Sequence, residues 1–139
     1  MTTNQHEAEL FSFCVLPDHM HFIVHPGEKG LSAFMHSFKR NSSKDVRYLL
    51  IGAYENSLGS IAGNRTRAAE NTNPEQIEFT GWQRGFHDEL IRDDQQLEKA
   101  ENYVQENALK HNLVANAEDW PWTSLHYEHL LGESSLSRR

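Results

Sequence analysis

Cysteine is nearly absent: Cys14 is the single one in 139 residues. The chain can therefore form no internal disulfide and no zinc site built from several thiolates. No run approaches the ~18 apolar residues that a membrane-spanning helix needs. The opening MTTNQHEAEL is polar and lacks the apolar stretch of a secretory signal, so a soluble cytoplasmic protein is expected. Positive charge is scarce, with 13 Lys+Arg against 20 Asp+Glu and a net charge of −7. Taken as an average, that balance argues against a protein that coats nucleic acid non-specifically. Hydrophobic residues make up 37% of the chain, which is low for a globular domain but does not by itself mean disorder. The length suits a single domain over residues 1–139.

Histidine, by contrast, is abundant, with nine residues, and it raises metal or proton chemistry. Charge is also segregated along the chain. Residues 1–28 hold four acids and no Lys or Arg, residues 29–67 hold seven Lys or Arg against two acids, and residues 68–137 hold four against fourteen. A basic segment thus lies inside an acidic chain, either as a solvated face or as a local phosphate-binding surface that the net charge conceals.

Residues 10–16 (LFSFCVL) and 19–25 (HMHFIVH) are rich in strand formers and flank Pro17-Asp18, which predicts two short strands joined by a tight turn. Alternation puts Met20, Phe22 and Val24 on one face, read as core, and His19, His21, Ile23 and His25 on the other. Residues 31–50 read as a helix bracketed by Gly30 and Gly52, with Leu31, Phe34, Met35 and Phe38 as its buried stripe. Arg40, Lys44 and Arg47 share another of its faces. Residues 52–76 are rich in Gly, Ser, Asn and Thr and read as a flexible insertion carrying Arg65 and Arg67. Residues 77–92 read as extended, with bends at Gly81 and Gly85. A second helix is predicted over 93–109, opened by Asp93-Asp94. Trp120 and Trp122 are expected to pack a short C-terminal helix or turn onto the core, and Cys14 to be buried and inert.

Two groups of residues carry chemistry. On a strand, residues i and i+2 point to the same side, about 6.5–7 Å apart, so the imidazoles of His19 and His21 can converge on one divalent ion. Such a pair alone is a weak signal, equally met as two surface histidines. On the second helix, Leu97, Ala100, Val104 and Ala108 form the apolar stripe, and Tyr103 and Asn107, four apart, lie on its flank. Lys99 and Lys110 fall beside Tyr103, which otherwise reads as a boundary aromatic. Together they suggest a reaction. A tyrosine hydroxyl ionises near pH ~10 and is a poor nucleophile at neutrality. Cations would stabilise its phenolate, a metal held by two histidines would act as a Lewis acid on a phosphodiester oxygen, and the Asn107 amide could complete the coordination shell. The product would be a covalent phosphotyrosine.

These segments resemble the single-tyrosine HUH transposases. Val15-Leu-Pro-Asp-His-Met-His-Phe-Ile-Val is similar to that family's His-hydrophobe-His strand, and Trp82-Gln-Arg-Gly-Phe-His-Asp-Glu-Leu-Ile-Arg-Asp to a second block. Glu101-Asn-Tyr-Val-Gln-Glu-Asn-Ala-Leu-Lys-His-Asn-Leu-Val resembles its tyrosine helix, with Ala108 where proline is common, and Asp119-Trp-Pro-Trp-Thr-Ser its closing motif. The blocks are collinear over about residues 10–126, and the branch they resemble is the REP-associated tyrosine transposases, which act on repeated palindromic DNA. The resemblance implies a ferredoxin-like α/β fold with a central antiparallel sheet. It implies Mg²⁺ or Mn²⁺ on His19, His21 and Asn107. It implies Tyr103 as the nucleophile on single-stranded or hairpin DNA, leaving a 5′-phosphotyrosine and a free 3′-hydroxyl. With it, Lys39, Arg40, Lys44, Arg47, Lys99 and Lys110 become the expected DNA contacts. The family carries a further strand and helix before the Val15 block, and fourteen residues precede Val15 here, so a sheet lacking its first strand is expected. A homodimer is left open. Two other readings stand beside this one: a catalytically inactive hairpin-binding remnant, and an unrelated zinc-dependent hydrolase.

Overall fold

A computed structural model describes residues 2–61 and 81–133. They form an α/β structure whose residues cluster into two compact units, one from Met1–Phe34 with His87–Arg139 and one from Met35–Phe86. No helix among the described residues is long and apolar enough to cross a membrane.

In the first unit, a short helix α1 (Thr2–His6) leads into β1 (Glu9–Val15) and β2 (Met20–His25), a two-stranded antiparallel sheet. The turn between them is closed by the Leu16 amide donating to the His19 carbonyl at 2.8 Å, as Pro17-Asp18 predicts. Phe13 faces Phe22, Cys14 faces His21 and Ser12 faces Ile23, with an irregularity in register between Leu10 and Ser12. Cross-strand partners share a face. Ser12, Cys14, His21 and Ile23 therefore form one side of the sheet, and Phe13 and Phe22 lie on the other.

The buried core is on the histidine side, not on the face of Met20, Phe22 and Val24 that reads as core in the sequence. Cys14, Leu16, Val104 and Ala108 form the cluster, with Ile23, Val114 and Trp120 packed on it. Met20, Phe22 and Val24, expected as core, are only half-buried. Both faces of this strand are covered, because Phe22 also meets Phe34 at a ring separation of 6.1 Å. Alternation can identify the two faces, but it cannot choose between them when an element packs on each.

The predicted second helix is two. Helix α3 (Asp94–Gln105) ends in a turn at Glu106, and α4 (Asn107–Lys110) follows. Its start is as expected: the Asp93 side chain caps it, accepting from the Gln96 amide at 2.8 Å. Asp93→Ala is expected to cost about 1 kcal/mol of stability, read as a lowered denaturant midpoint at unchanged slope. Leu97, Val104 and Ala108 are buried, while Ala100 is only half-buried.

The C-terminal stretch folds back as three short 3₁₀ turns, Ala117–Asp119, Ser124–His126 and Glu128–Leu130. It lies along β1. The Val15 amide donates to the Trp122 carbonyl at 2.8 Å, the Thr123 hydroxyl to the Phe13 carbonyl at 3.3 Å, and the Ser12 and Ser124 hydroxyls share a buried bond of 3.1 Å. Trp120 packs as predicted and donates its indole N–H to the Val15 carbonyl at 2.8 Å. Trp122 does not, since its residue is 55% exposed and only its backbone is used.

Helix α2 (Gly30–Ile61) runs past Gly52, where the sequence placed its end. Glycine lowers helix propensity by about 1 kcal/mol but does not forbid continuation. Residues 62–76 of the expected insertion lie outside the described residues, as do Arg65 and Arg67. In the second unit, residues 81–86 run without strand, and Gly81 and Gly85 carry the bends predicted there, at φ +78° and +73°.

Candidate active site

The hairpin and α3 bring three rings together. His19 sits at the hairpin turn and His21 one residue into β2, and their rings lie 5.2 Å apart, edge to face. Val104 and Ala108 pack over Cys14 and Leu16, and this docking delivers Tyr103, whose ring lies 5.6 Å from His21, also edge to face. Tyr103 is 49% exposed, so it is accessible to a macromolecule.

The two lysines predicted around Tyr103 differ. The Lys110 ammonium lies over the ring, 4.3 Å from its centroid, and is also 3.6 Å from the Glu106 carboxylate. Lys99 is exposed on α3. The break at Glu106 separates Tyr103 from Asn107, so they no longer share one continuous helix. Asn107 is far more buried than a flank position implies, at 1% exposure, and its side-chain oxygen is buried without a hydrogen-bond partner among the described residues.

Two residues of this cluster escaped the sequence reading. The Asp18 carboxylate accepts from His19 Nδ1 at 2.6 Å, which leaves Nε2 as the free ring nitrogen. That hydrogen bond is the main reason its carboxyl is held below the usual carboxylate range, against a smaller opposing effect of desolvation. The signal was present, since Asp18 precedes His19, but Pro17-Asp18 reads first as a turn. His111 lies 5.1 Å from the His19 ring; it stands beyond α4, where helical spacing gives no warning. Burial, and then the neighbouring charges of His19 and His111, push the His21 imidazole below the ordinary histidine range, so it favours the neutral form with a free lone pair. Burial likewise raises the Cys14 thiol, partly offset by a backbone hydrogen bond from Ala108, in keeping with an inert residue.

Among the described residues no group of three His, Cys, Asp or Glu is arranged to hold a metal ion. Were a metal held by His19 and His21, a third ligand would be of another type, and the orphaned Asn107 oxygen has that character. A buried carbonyl oxygen with no partner is costly unless something occupies it, and two imidazoles with an amide oxygen form a mixed donor set suited to a first-row divalent ion.

The remaining predicted DNA contacts lie on α2 in the second unit. Lys39 is committed to structure, donating to the carbonyls of Gln83, at 3.0 Å, and Gly85. The Lys44 ammonium lies 5.7 Å from the Tyr48 ring. Arg40 and Arg47 are exposed.

The described geometry is a histidine–tyrosine site on a small α/β scaffold. Residues 1–53 match the family described as "Transposase IS200 like", a match that includes both strand histidines and stops well short of Tyr103. A "Putative REP-associated tyrosine transposase" of Haemophilus influenzae is 29% identical over 126 residues, which are 90% of this chain and 63% of that protein. The similarity to tyrosine transposases read from the sequence is thus borne out, and the chain spans a little under two thirds of the length of the relative it matches. No solved structure matches the chain.

Proposed function

We propose that the chain is a DNA strand transferase of the transposase type, acting on single-stranded or hairpin DNA through Tyr103. The observation that carries this reading is the placement of Tyr103 against His21, beneath the Lys110 ammonium. In the reaction, the Tyr103 oxygen attacks the phosphorus of a phosphodiester. The new P–O bond to tyrosine forms as the P–O3′ bond breaks, the phenolic proton is released, and the 3′-oxygen leaves as a hydroxyl once protonated. The energy of the phosphodiester is kept in the 5′-phosphotyrosine for rejoining to another 3′-hydroxyl. Lys110 offsets negative charge beside the ring. His19, His21 and Asn107 would hold Mg²⁺ or Mn²⁺, which when bound polarises a non-bridging phosphate oxygen. The reading carries with it a cytoplasmic location and a ferredoxin-like arrangement, in support of which stand two antiparallel strands with α3 across their histidine face.

The test is direct. The full chain is incubated with hairpin oligonucleotides and Mg²⁺ or Mn²⁺ and run on a denaturing gel. A protein–DNA adduct that survives denaturation and requires Tyr103 supports the reading, and its absence with every hairpin and both metals sinks the catalytic part. Asp18 gives a second handle. As the carboxylate behind His19, it is expected to act as a positioning residue. Asp18→Asn should weaken Mn²⁺ binding 10- to 100-fold in a calorimetric titration without DNA, while the thermal midpoint moves little because the residue is exposed.

A further inference from the structure

The second compact unit holds a pocket that chemistry at Tyr103 does not use. On α2, His36, Arg40, Ser43 and Arg47 follow one another at helical spacing and form a single stripe. Lys39, Gly81 and Trp82 complete the described lining of a pocket of about 380 Å³.

The pocket wall is pre-built. The Trp82 indole N–H donates to the Ser42 hydroxyl at 2.8 Å, and its ring rests 5.8 Å from Phe38. Lys39 ties down the chain that follows by its two carbonyl contacts, and its ammonium lies 5.7 Å from the Phe86 ring. Lys39 is therefore spent on structure. The cations left for a ligand are Arg40 and Arg47, and neither has a hydrogen bond or ion pair among the described residues. No carboxylate is among the described lining residues.

Two uncommitted guanidinium groups match phosphate oxygens through their planar forks. The Trp82 indole, held by its N–H and resting against Phe38, is only half-buried and keeps part of its ring on the pocket, and a base face is the partner that such platforms take. The volume falls within the range of small-ligand pockets. It suits one nucleotide rather than the groove of a duplex, whose bases show no free face.

We propose that this pocket binds one unpaired nucleotide of a single DNA strand, with Arg40 and Arg47 on its phosphates and Trp82 stacked on its base. The inference rests on the DNA-acting reading above and narrows it. Lys39 and Lys44 leave the set of recognition residues, and Trp82 joins it.

The test uses the full chain and a fluorescent oligothymidylate of about ten nucleotides, with binding followed by anisotropy across a salt series. Arg40→Gln and Arg47→Gln are surface changes that leave folding intact. Each is expected to weaken binding about tenfold and to reduce the slope of log affinity against log salt by about 0.7. An abasic strand of equal length should bind the wild-type chain about tenfold more weakly. Millimolar inorganic phosphate should fail to displace the oligothymidylate. Unchanged affinity and salt slope in both Arg variants would overturn the proposal. So would equal binding of the abasic strand, or displacement by phosphate, either of which reduces the pocket to a bare anion site. Adduct assays keep the two readings separable. Base- and Arg-dependent binding without any adduct leaves this inference standing and removes the catalytic one. Adduct formation with neither dependence does the reverse.

Discussion

Tyr103→Phe is expected to abolish the covalent protein–DNA adduct, with a loss of roughly a thousandfold or more in its rate of formation, as for removal of other enzymatic nucleophiles. The substitution deletes one oxygen. The ring, its edge-to-face contact with His21 and its place beneath Lys110 depend on carbon atoms that phenylalanine keeps. Tyr103 is half exposed and its hydroxyl has no hydrogen bond among the described residues, so the fold should be unaffected within about 0.5 kcal/mol. The variant should melt with the wild type and bind a hairpin oligonucleotide with the same affinity, while the denaturation-resistant band disappears. Loss of binding together with the band would mean that the hydroxyl is a recognition contact. An undiminished band would place the nucleophile elsewhere and leave the zinc-hydrolase or remnant readings in play.

Much of this site is readable in the sequence because it is built from local periodicities. The period of two brings His19 and His21 to one side of a strand. The turn residues Pro17-Asp18 set the hairpin, and the Asp93 cap fixes where α3 begins. Tyr103 beside the stripe of Leu97, Val104 and Ala108 follows from the helical period alone. What could not be read depends on docking. Which face of β2 would be covered by α3 was settled by Cys14 and Leu16 packing on Val104 and Ala108, contacts made across more than eighty residues of chain. His111 reaches His19 only because the chain turns after Lys110, and nothing in its spacing announces that.

Charged residues show the same division. Counting placed Lys39, Arg40, Lys44 and Arg47 together as candidate phosphate contacts, since all lie in the basic segment. The structure divides them by what each side chain already does. Lys39 binds backbone carbonyls, Lys44 lies near Tyr48, and Arg40 and Arg47 line a pocket. Sequence reports charge, but only the fold reports whether a charge is committed. The same holds around Tyr103, where Lys110 lies over the ring and Lys99 stands exposed.

Asn107→Leu is expected to act in opposite directions on stability and activity. Among the described residues the Asn107 oxygen is buried and unpartnered, a state that costs about 1–3 kcal/mol. Leucine keeps asparagine's branched side chain of four heavy atoms, with bulkier methyl ends, has the better helix propensity for the start of α4, and buries no oxygen beside Ala108. Without metal the variant should therefore unfold several degrees above the wild type, each kcal/mol being worth about 2–8 °C for domains of this size range. Mn²⁺ should then raise the melting temperature of the wild type, because a ligand that binds only the folded state stabilises it by mass action. The leucine variant should respond far less, and adduct formation should fall by roughly 100-fold or more through loss of the proposed third ligand. Melting curves with and without Mn²⁺ separate this from an ordinary core role. Were Asn107 a purely structural residue with its amide satisfied, leucine would lower stability with and without metal alike, and the Mn²⁺ shift would be the same in both chains.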